Sequence, residues 1–235
     1  MNLVKEKWTK QDGKEFNKYL ETLKNEDRIE WTTNLLRTNL KVLAIKAPVI
    51  KSIVKEIKKG NYLSFLDLNL HDYYDDTAIS CGLISSIKDF DVMVKYMKIY
   101  SKTIDNWASC DTLSFNVKNR EEQFYNLALE YIKSKLPFER RLGLSILFKL
   151  VDNDEYIDKI LEICNKFEKE EEYYVNMINA WLLCDCFIKQ RNKTMKFLKN
   201  NNLNNFTINK TVSKCRDSYR VKKEDKDYLL KFKRK

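Results

Sequence analysis

The residue types best suited to act on a charged substrate cluster in Thr103-Ile-Asp-Asn-Trp-Ala-Ser-Cys-Asp-Thr-Leu113. Trp107 and Asp111 are four positions apart, which puts both on one face of a helix. A carboxylate held in a partly dry aromatic setting could stabilise positive charge developing on a substrate. The alternative is that Trp107 packs while Asp111 caps the helix or faces water. A second stretch, Pro137-Phe-Glu-Arg-Arg-Leu-Gly-Leu-Ser-Ile-Leu-Phe148, opens an apolar helix with Arg140 and Arg141. Because the two are adjacent, one must lie close to the apolar stripe. A guanidinium there needs an anion, either an internal carboxylate or a phosphate. The third stretch is Glu172-Tyr-Tyr-Val-Asn-Met-Ile-Asn-Ala-Trp-Leu-Leu-Cys-Asp185. Tyr173, Asn176 and Ala180 share one line of this helix, and Tyr174, Met177 and Trp181 another. Read alone, such an aromatic stripe places Trp181 in a core rather than in a site.

Other chemistries lack their residues. His71 is the only histidine in the chain, which argues against a His-based metal site or a His-dependent triad. The six cysteines, Cys81, Cys110, Cys164, Cys184, Cys186 and Cys215, form no CxxC and sit mostly in apolar helical patterns. They read as reduced, buried thiols of a cytoplasmic protein. Neither a metal nor a cofactor is expected. No run approaches the length of a membrane span, and the start, MNLVKEKWTKQDGKEF, lacks the apolar region of a signal peptide.

Charge is distributed unevenly. Residues 189–235 hold 16 Lys/Arg against 4 Asp/Glu, while the rest of the chain holds 28 against 30. The whole excess of +10 therefore sits in the last fifth of the sequence. A polyanion is attracted to such a cluster by Coulomb force and by counterion release. The segment also carries Leu198, Leu203, Phe206, Ile208, Val212, Tyr219, Tyr228, Leu229 and Leu230 at spacings that suit packed helices, so it does not read as a solubilising tail. It lacks the clean amphipathic basic helix of a membrane-surface binder.

These stretches must be positioned by helices. Four glycines and two prolines in 235 residues leave few turns for a sheet protein. The periodicity predicts helices at Lys14–Lys24, Arg28–Leu36, from Pro48 to Gly60, Tyr62–Leu70, Asp72–Ile87, Val92–Ser101, Thr103–Leu113, Arg120–Ser134 and Pro137–Leu150. Further helices are expected at Asp154–Phe167, Glu172–Lys189, Asn192–Lys199, Asn209–Ser218 and Glu224–Phe232. Consecutive pairs span the unit length of helical-pair repeats. The expected fold is all-α, a right-handed solenoid of antiparallel helix pairs, HEAT-like, with a concave basic face. No Gly-, Pro- or Ser-rich linker interrupts it, so residues 1–235 are expected to form a single domain, a monomer.

Taken in order, the three stretches resemble the bacterial DNA alkylation repair family, the AlkD-like HEAT-repeat alkylpurine DNA glycosylases. Trp107 and Asp111 match the family's Trp-x-x-x-Asp pair. Arg141 matches its arginine at the start of a later apolar helix, and Trp181 its tryptophan on a long helix beyond. The similarity runs from about Ala44-Ile-Lys-Ala-Pro48 to Ser218-Tyr-Arg220. It departs where the family commonly has Gly-x-x-x-Pro and this chain has Ala44 and Pro48. It departs again where an N-terminal helix presents a tyrosine and this chain has Leu35, with Trp31 the nearest aromatic. The resemblance implies double-stranded, alkylated DNA as partner and hydrolysis of the N-glycosidic bond of 7-alkylguanine or 3-alkyladenine. Asp111, Trp107 and Trp181 would be catalytic. Arg141 would bind phosphate, joined in the basic segment by Lys189, Arg191, Lys193, Lys210, Lys214, Arg216 and Arg220. Two alternatives are a non-catalytic helical-repeat DNA binder and a protein-interaction solenoid. The acidic patches at 152–158 and 168–172 keep the latter open.

Overall fold

The computed structural model describes residues 1–235 and is helical throughout, with fourteen α-helices and no strand. Its backbone divides into two compact units, Met1–Ser114 and Phe115–Lys235. The first holds α1 (Lys10–Glu21), α2 (Glu26–Leu36), α3 (Ala47–Ile57), α4 (Tyr62–Leu66), α5 (Tyr74–Ile84), α6 (Phe90–Tyr100) and α7 (Trp107–Asp111). The second holds α8 (Glu121–Ile132), α9 (Pro137–Leu147), α10 (Asp154–Asn165), α11 (Tyr173–Lys189), α12 (Arg191–Lys199), α13 (Asn205–Asp217) and α14 (Lys223–Leu229), closed by a 3-10 turn at Leu230–Phe232. No helix is long and apolar enough to cross a membrane.

Within each unit a run of odd-numbered helices packs one on the next. In the first, α3 packs on α5 and α5 on α7; in the second, α9 packs on α11 and α11 on α13. This explains why α5 and α11 show no single apolar stripe. Residues are buried all around α5, including Asp75, Asp76, Ser80 and Leu83, and all around α11, including Asn176, Ile178, Leu182 and Cys186. A helix covered on several sides is apolar on several sides. On α5, Ile79 and Leu83 are buried, whereas Ala78 is half-buried. All six cysteines are buried and unbridged.

Two glycines permit close backbone approaches. A Cβ on Gly143 would stand 2.8 Å from the Ala128 carbonyl oxygen, so glycine lets α9 lie directly on the backbone of α8. A Cβ on Gly60 would stand 2.4 Å from the Lys5 carbonyl oxygen. Gly60 thus serves the N-terminal segment that passes over it, in addition to lying just beyond the end of α3. Helix starts follow side-chain caps. Thr9 opens α1 by accepting from the Asp12 amide at 3.2 Å, while Asp12 accepts from the Thr9 amide at 2.8 Å. That reciprocal cap sets the start of α1 four residues before the position expected from apolar periodicity. Asn204 likewise opens α13 earlier than expected, accepting from the Thr207 amide at 2.8 Å.

The helix expected over Thr103–Leu113 is shortened to α7. Asp105 is drawn out of it, accepting from the Thr38 hydroxyl at 2.5 Å and the Asn39 amide at 2.6 Å. Asn106 then caps α7 through the Ser109 amide at 3.0 Å. Side chains that bond to backbone compete with helix continuation in this way. Trp107 and Asp111 remain the first and last residues of α7, as their spacing requires.

Candidate functional site

In the first unit, α7 is clamped from several sides. The Tyr100 hydroxyl donates to the Ser109 carbonyl at 3.0 Å, and Thr112 donates to the Ala108 carbonyl at 2.7 Å. Trp107 packs on the cluster of Leu36, Val42 and Ala108, and its indole N–H donates to the Leu35 carbonyl at 3.2 Å. Asp111 is half-buried at the other end of the same helix. A carboxylate and an indole are therefore presented side by side on a short, anchored helix.

In the second unit the two adjacent arginines divide their roles. Arg140 forms a fork with Glu170, at 2.7 and 2.9 Å, and also donates to the Ser134 and Lys135 carbonyls. Its anion is an internal carboxylate. Arg141 is the buried member, 5% exposed, and donates to the Tyr174 carbonyl at 2.6 Å. Arg141 thereby joins the start of α9 to the first turn of α11.

Trp181 does not enter the core, contrary to the reading of its aromatic stripe alone. It is 44% exposed, with one edge against Phe148 at 5.1 Å and the Lys214 ammonium 5.6 Å from its ring centre. The reason lies in α11 itself: the buried faces are filled by Val175, Ile178, Leu182 and Cys186, and Trp181 occupies the remaining one. Two further residues of α11 extend this polar edge. Asp185 lies 3.0 Å from Lys189 and 3.6 Å from Arg220, and Lys189 also reaches Asp152 at 2.9 Å.

The basic segment is sorted by its partners. Arg191 is held by Asp225, whose carboxyl its guanidinium keeps below the ordinary range. Lys193 pairs with Asp158 at 2.9 Å. Lys210 lies over Phe206 as Lys214 lies over Trp181. Arg216 and Arg220 are exposed around Tyr219, which is 94% exposed and followed by Lys222 and Lys223. The acidic patch at 152–158 is thus partly occupied by Lys189 and Lys193.

A family model described as DNA alkylation repair enzyme matches residues 16–214. The chain belongs to the DNA alkylation repair enzyme family. DNA is accordingly the substrate or partner that membership implies. Comparison with curated proteins gives no match.

Within this DNA alkylation repair chain, the departures noted in the sequence have structural counterparts. Ala44 adopts φ 55°, the left-handed region that favours glycine. Leu35 and Trp31 are both exposed on α2, and the Arg28 guanidinium stacks 4.4 Å from the Trp31 ring centre. Sequence reasoning missed the Leu35 carbonyl as the anchor of Trp107, since any residue supplies a carbonyl. It also missed Asp185, although its position four residues after Trp181 and four before Lys189 was a usable signal.

Proposed function

We propose that this protein is a monofunctional DNA glycosylase that hydrolyses the N-glycosidic bond of cationic alkylpurines such as 7-alkylguanine and 3-alkyladenine. The observation that carries this reading is the Trp107–Asp111 pair on an anchored helix in a chain of the DNA alkylation repair family. An alkylated purine bears a positive ring charge and is already a good leaving group. As the C1′–N bond breaks, its electron pair goes to the base, which leaves neutral, and cationic character builds on the sugar. A fixed carboxylate favours that state over the ground state. Asp111 supplies this charge and orients a water, whose oxygen bonds to C1′ while its proton passes to solvent.

In the first unit Trp107 offers a π face to cationic groups of the damaged nucleotide, and in the second the exposed Trp181 offers one to bound DNA. Arg141, buried and bonded to the Tyr174 carbonyl, fixes α9 against α11 rather than meeting a phosphate directly, and exposed basic residues around Arg216 and Arg220 add sequence-independent affinity for duplex DNA. No lysine lies in the matched motifs to form a Schiff base, so strand cleavage does not accompany base release. In this reading the helix pairs are HEAT-like repeats, and the 1–235 chain acts on duplex DNA as one domain and as a monomer. Release of free 7-methylguanine from methylated duplex DNA tests the proposal. Salt-sensitive DNA binding without base release would replace it with a non-catalytic DNA binder of the same family.

A further inference from the structure

Four aromatic side chains of the second unit are exposed, and three of them lean on another ring. Tyr173 lies against Tyr174 and Phe206, Trp181 against Phe148, and Tyr228 against Phe232. Tyr219, between α13 and α14, is the exception, with its side chain almost wholly in water. The turn that carries it is nevertheless fixed on both sides. The Ser218 amide donates to the Lys214 carbonyl at 3.1 Å, which ties the turn to the end of α13. On the other side Val221 is buried and its amide donates to the Ser218 carbonyl at 3.4 Å. The Arg220 amide donates to the Ser218 hydroxyl oxygen at 3.2 Å, and its guanidinium lies 3.6 Å from Asp185 on α11.

A ring on an anchored turn has little left to order when it meets a partner, because tyrosine has only two side-chain torsions. Covering it would also remove apolar surface from water. Charge restricts what can cover it. From Lys214 to Lys223 the chain holds five cations and one carboxylate, Asp217. Arg220 is engaged by Asp185 and Lys214 lies over Trp181, while Arg216, Lys222 and Lys223 are exposed. A flat apolar ring among free cations suits a polyanion that itself presents flat faces. Nucleic acid has both, phosphates for the cations and base or sugar faces for the ring. An acidic peptide would answer the charges alone.

We propose that the Ser218–Val221 turn is a DNA contact in which the Tyr219 ring enters a groove of the duplex and stacks on a deoxyribose or a partly unstacked base, while Arg216, Lys222 and Lys223 meet the flanking phosphates. The proposal rests on the reading of this chain as a binder of duplex DNA and not on base excision. The ring's share of the affinity comes from stacking, so it is independent of salt, whereas the share of the three cations is not.

The test is binding to an unmodified DNA duplex over a range of salt concentrations. Tyr219→Ala, with a circular dichroism spectrum like that of the wild type, is expected to bind about tenfold more weakly at every salt concentration, the scale of one lost aromatic stack, with the salt slope unaltered. Tyr219→Phe keeps the ring and should bind as the wild type does. Wild-type affinity in Tyr219→Ala would leave the ring to some other contact and overturn the proposal. An equal loss in Tyr219→Phe would overturn it too, because the hydroxyl rather than the ring would then be the contact. So would a loss that comes with a lower slope, as expected of a phosphate contact. A wild-type protein that binds no DNA overturns it together with the reading on which it rests. Release of 7-methylguanine is measured separately. A protein whose DNA affinity depends on the Tyr219 ring but that releases no base loses the glycosylase reading and retains this contact.

Discussion

The indole N–H of Trp107 donates to the carbonyl oxygen of Leu35 across 3.2 Å, tying α7 to the last turn of α2. Leu35 is one of the residues whose carbonyls a helix end leaves without an intrahelical donor, so the bond serves both partners. The residue that replaces the family's N-terminal aromatic is thus held by the tryptophan of the Trp-x-x-x-Asp pair. Trp107→Phe keeps a ring against Leu36, Val42 and Ala108 but removes the donor. It should lower stability by about 1 kcal/mol, the usual net worth of one hydrogen bond. Trp107→Ala should cost more, because the ring contacts go as well. Chemical denaturation of the two variants decides this; a Trp107→Phe protein as stable as wild type would show that the bond contributes nothing.

Ala44 supports a second prediction. At φ 55° an L-residue with a Cβ is held at a cost of about 1–2 kcal/mol relative to glycine. Glycine loses more backbone entropy on folding, which offsets about half of that gain. Ala44→Gly should therefore stabilise the first unit by about 0.5 kcal/mol, and Ala44→Val should destabilise it, since β-branching worsens the same clash. Thermal melts that rank valine at or above alanine would contradict this account.

How much was legible in the sequence depended on the range of the interaction. Periodicity located the helices, and the four-residue spacing placed Trp107 and Asp111 on α7, because both depend on neighbours in the chain. The pairing of Arg140 with Glu170 and the burial of Arg141 followed the logic of two adjacent cations beside an apolar face, though sequence could not say which was which. Trp181 was misplaced by its stripe because α11 is covered on faces that its own sequence does not reveal. The ion pairs of the basic segment were out of reach of the sequence for a similar reason. Asp152, Asp158 and Asp225 reach Lys189, Lys193 and Arg191 only after folding.

That division makes the basic residues separable by experiment. Arg216→Gln alters an exposed side chain, and should lower the magnitude of the salt slope of DNA binding by about 1 with little change in melting temperature. Arg191→Gln instead leaves the Asp225 carboxylate, which is 8% exposed, without its fork. It should lower the melting temperature and leave the salt slope unaltered. Equal effects of the two substitutions on the slope would show that pairing does not withdraw Arg191 from DNA.

Asp76 gives the first unit a pH dependence. It is fully buried, accepts from the Tyr73 amide at 3.0 Å, and burial pushes its carboxyl up to about 7 from 3.8. Between those values the folded protein holds a proton that the unfolded chain has released. Stability contributed by this group is thus complete below pH 4, falls as pH rises towards 7, and is level above that. Asp76→Asn removes the titration while keeping an acceptor for Tyr73. Denaturant midpoints of the wild type should fall between pH 5 and pH 8 by more than those of the variant. Parallel pH profiles would place the ionisation of Asp76 elsewhere.

Asp111→Asn isolates charge from shape at the proposed catalytic position. The amide has the size of the carboxylate and can still orient a water, but it cannot offset cationic character on the sugar. Release of 7-methylguanine should fall by about 100-fold or more, the scale of a lost electrostatic contact in an active site. Affinity for the same duplex should hold or rise slightly, since phosphate contacts set affinity and a carboxylate repels the DNA backbone. If Asp111 served only to hold α7 in place, the substitution would instead lower the melting temperature and reduce binding and excision together. Measuring all three on one preparation separates the outcomes: a stable variant that binds as wild type and excises as wild type would remove Asp111 from the mechanism.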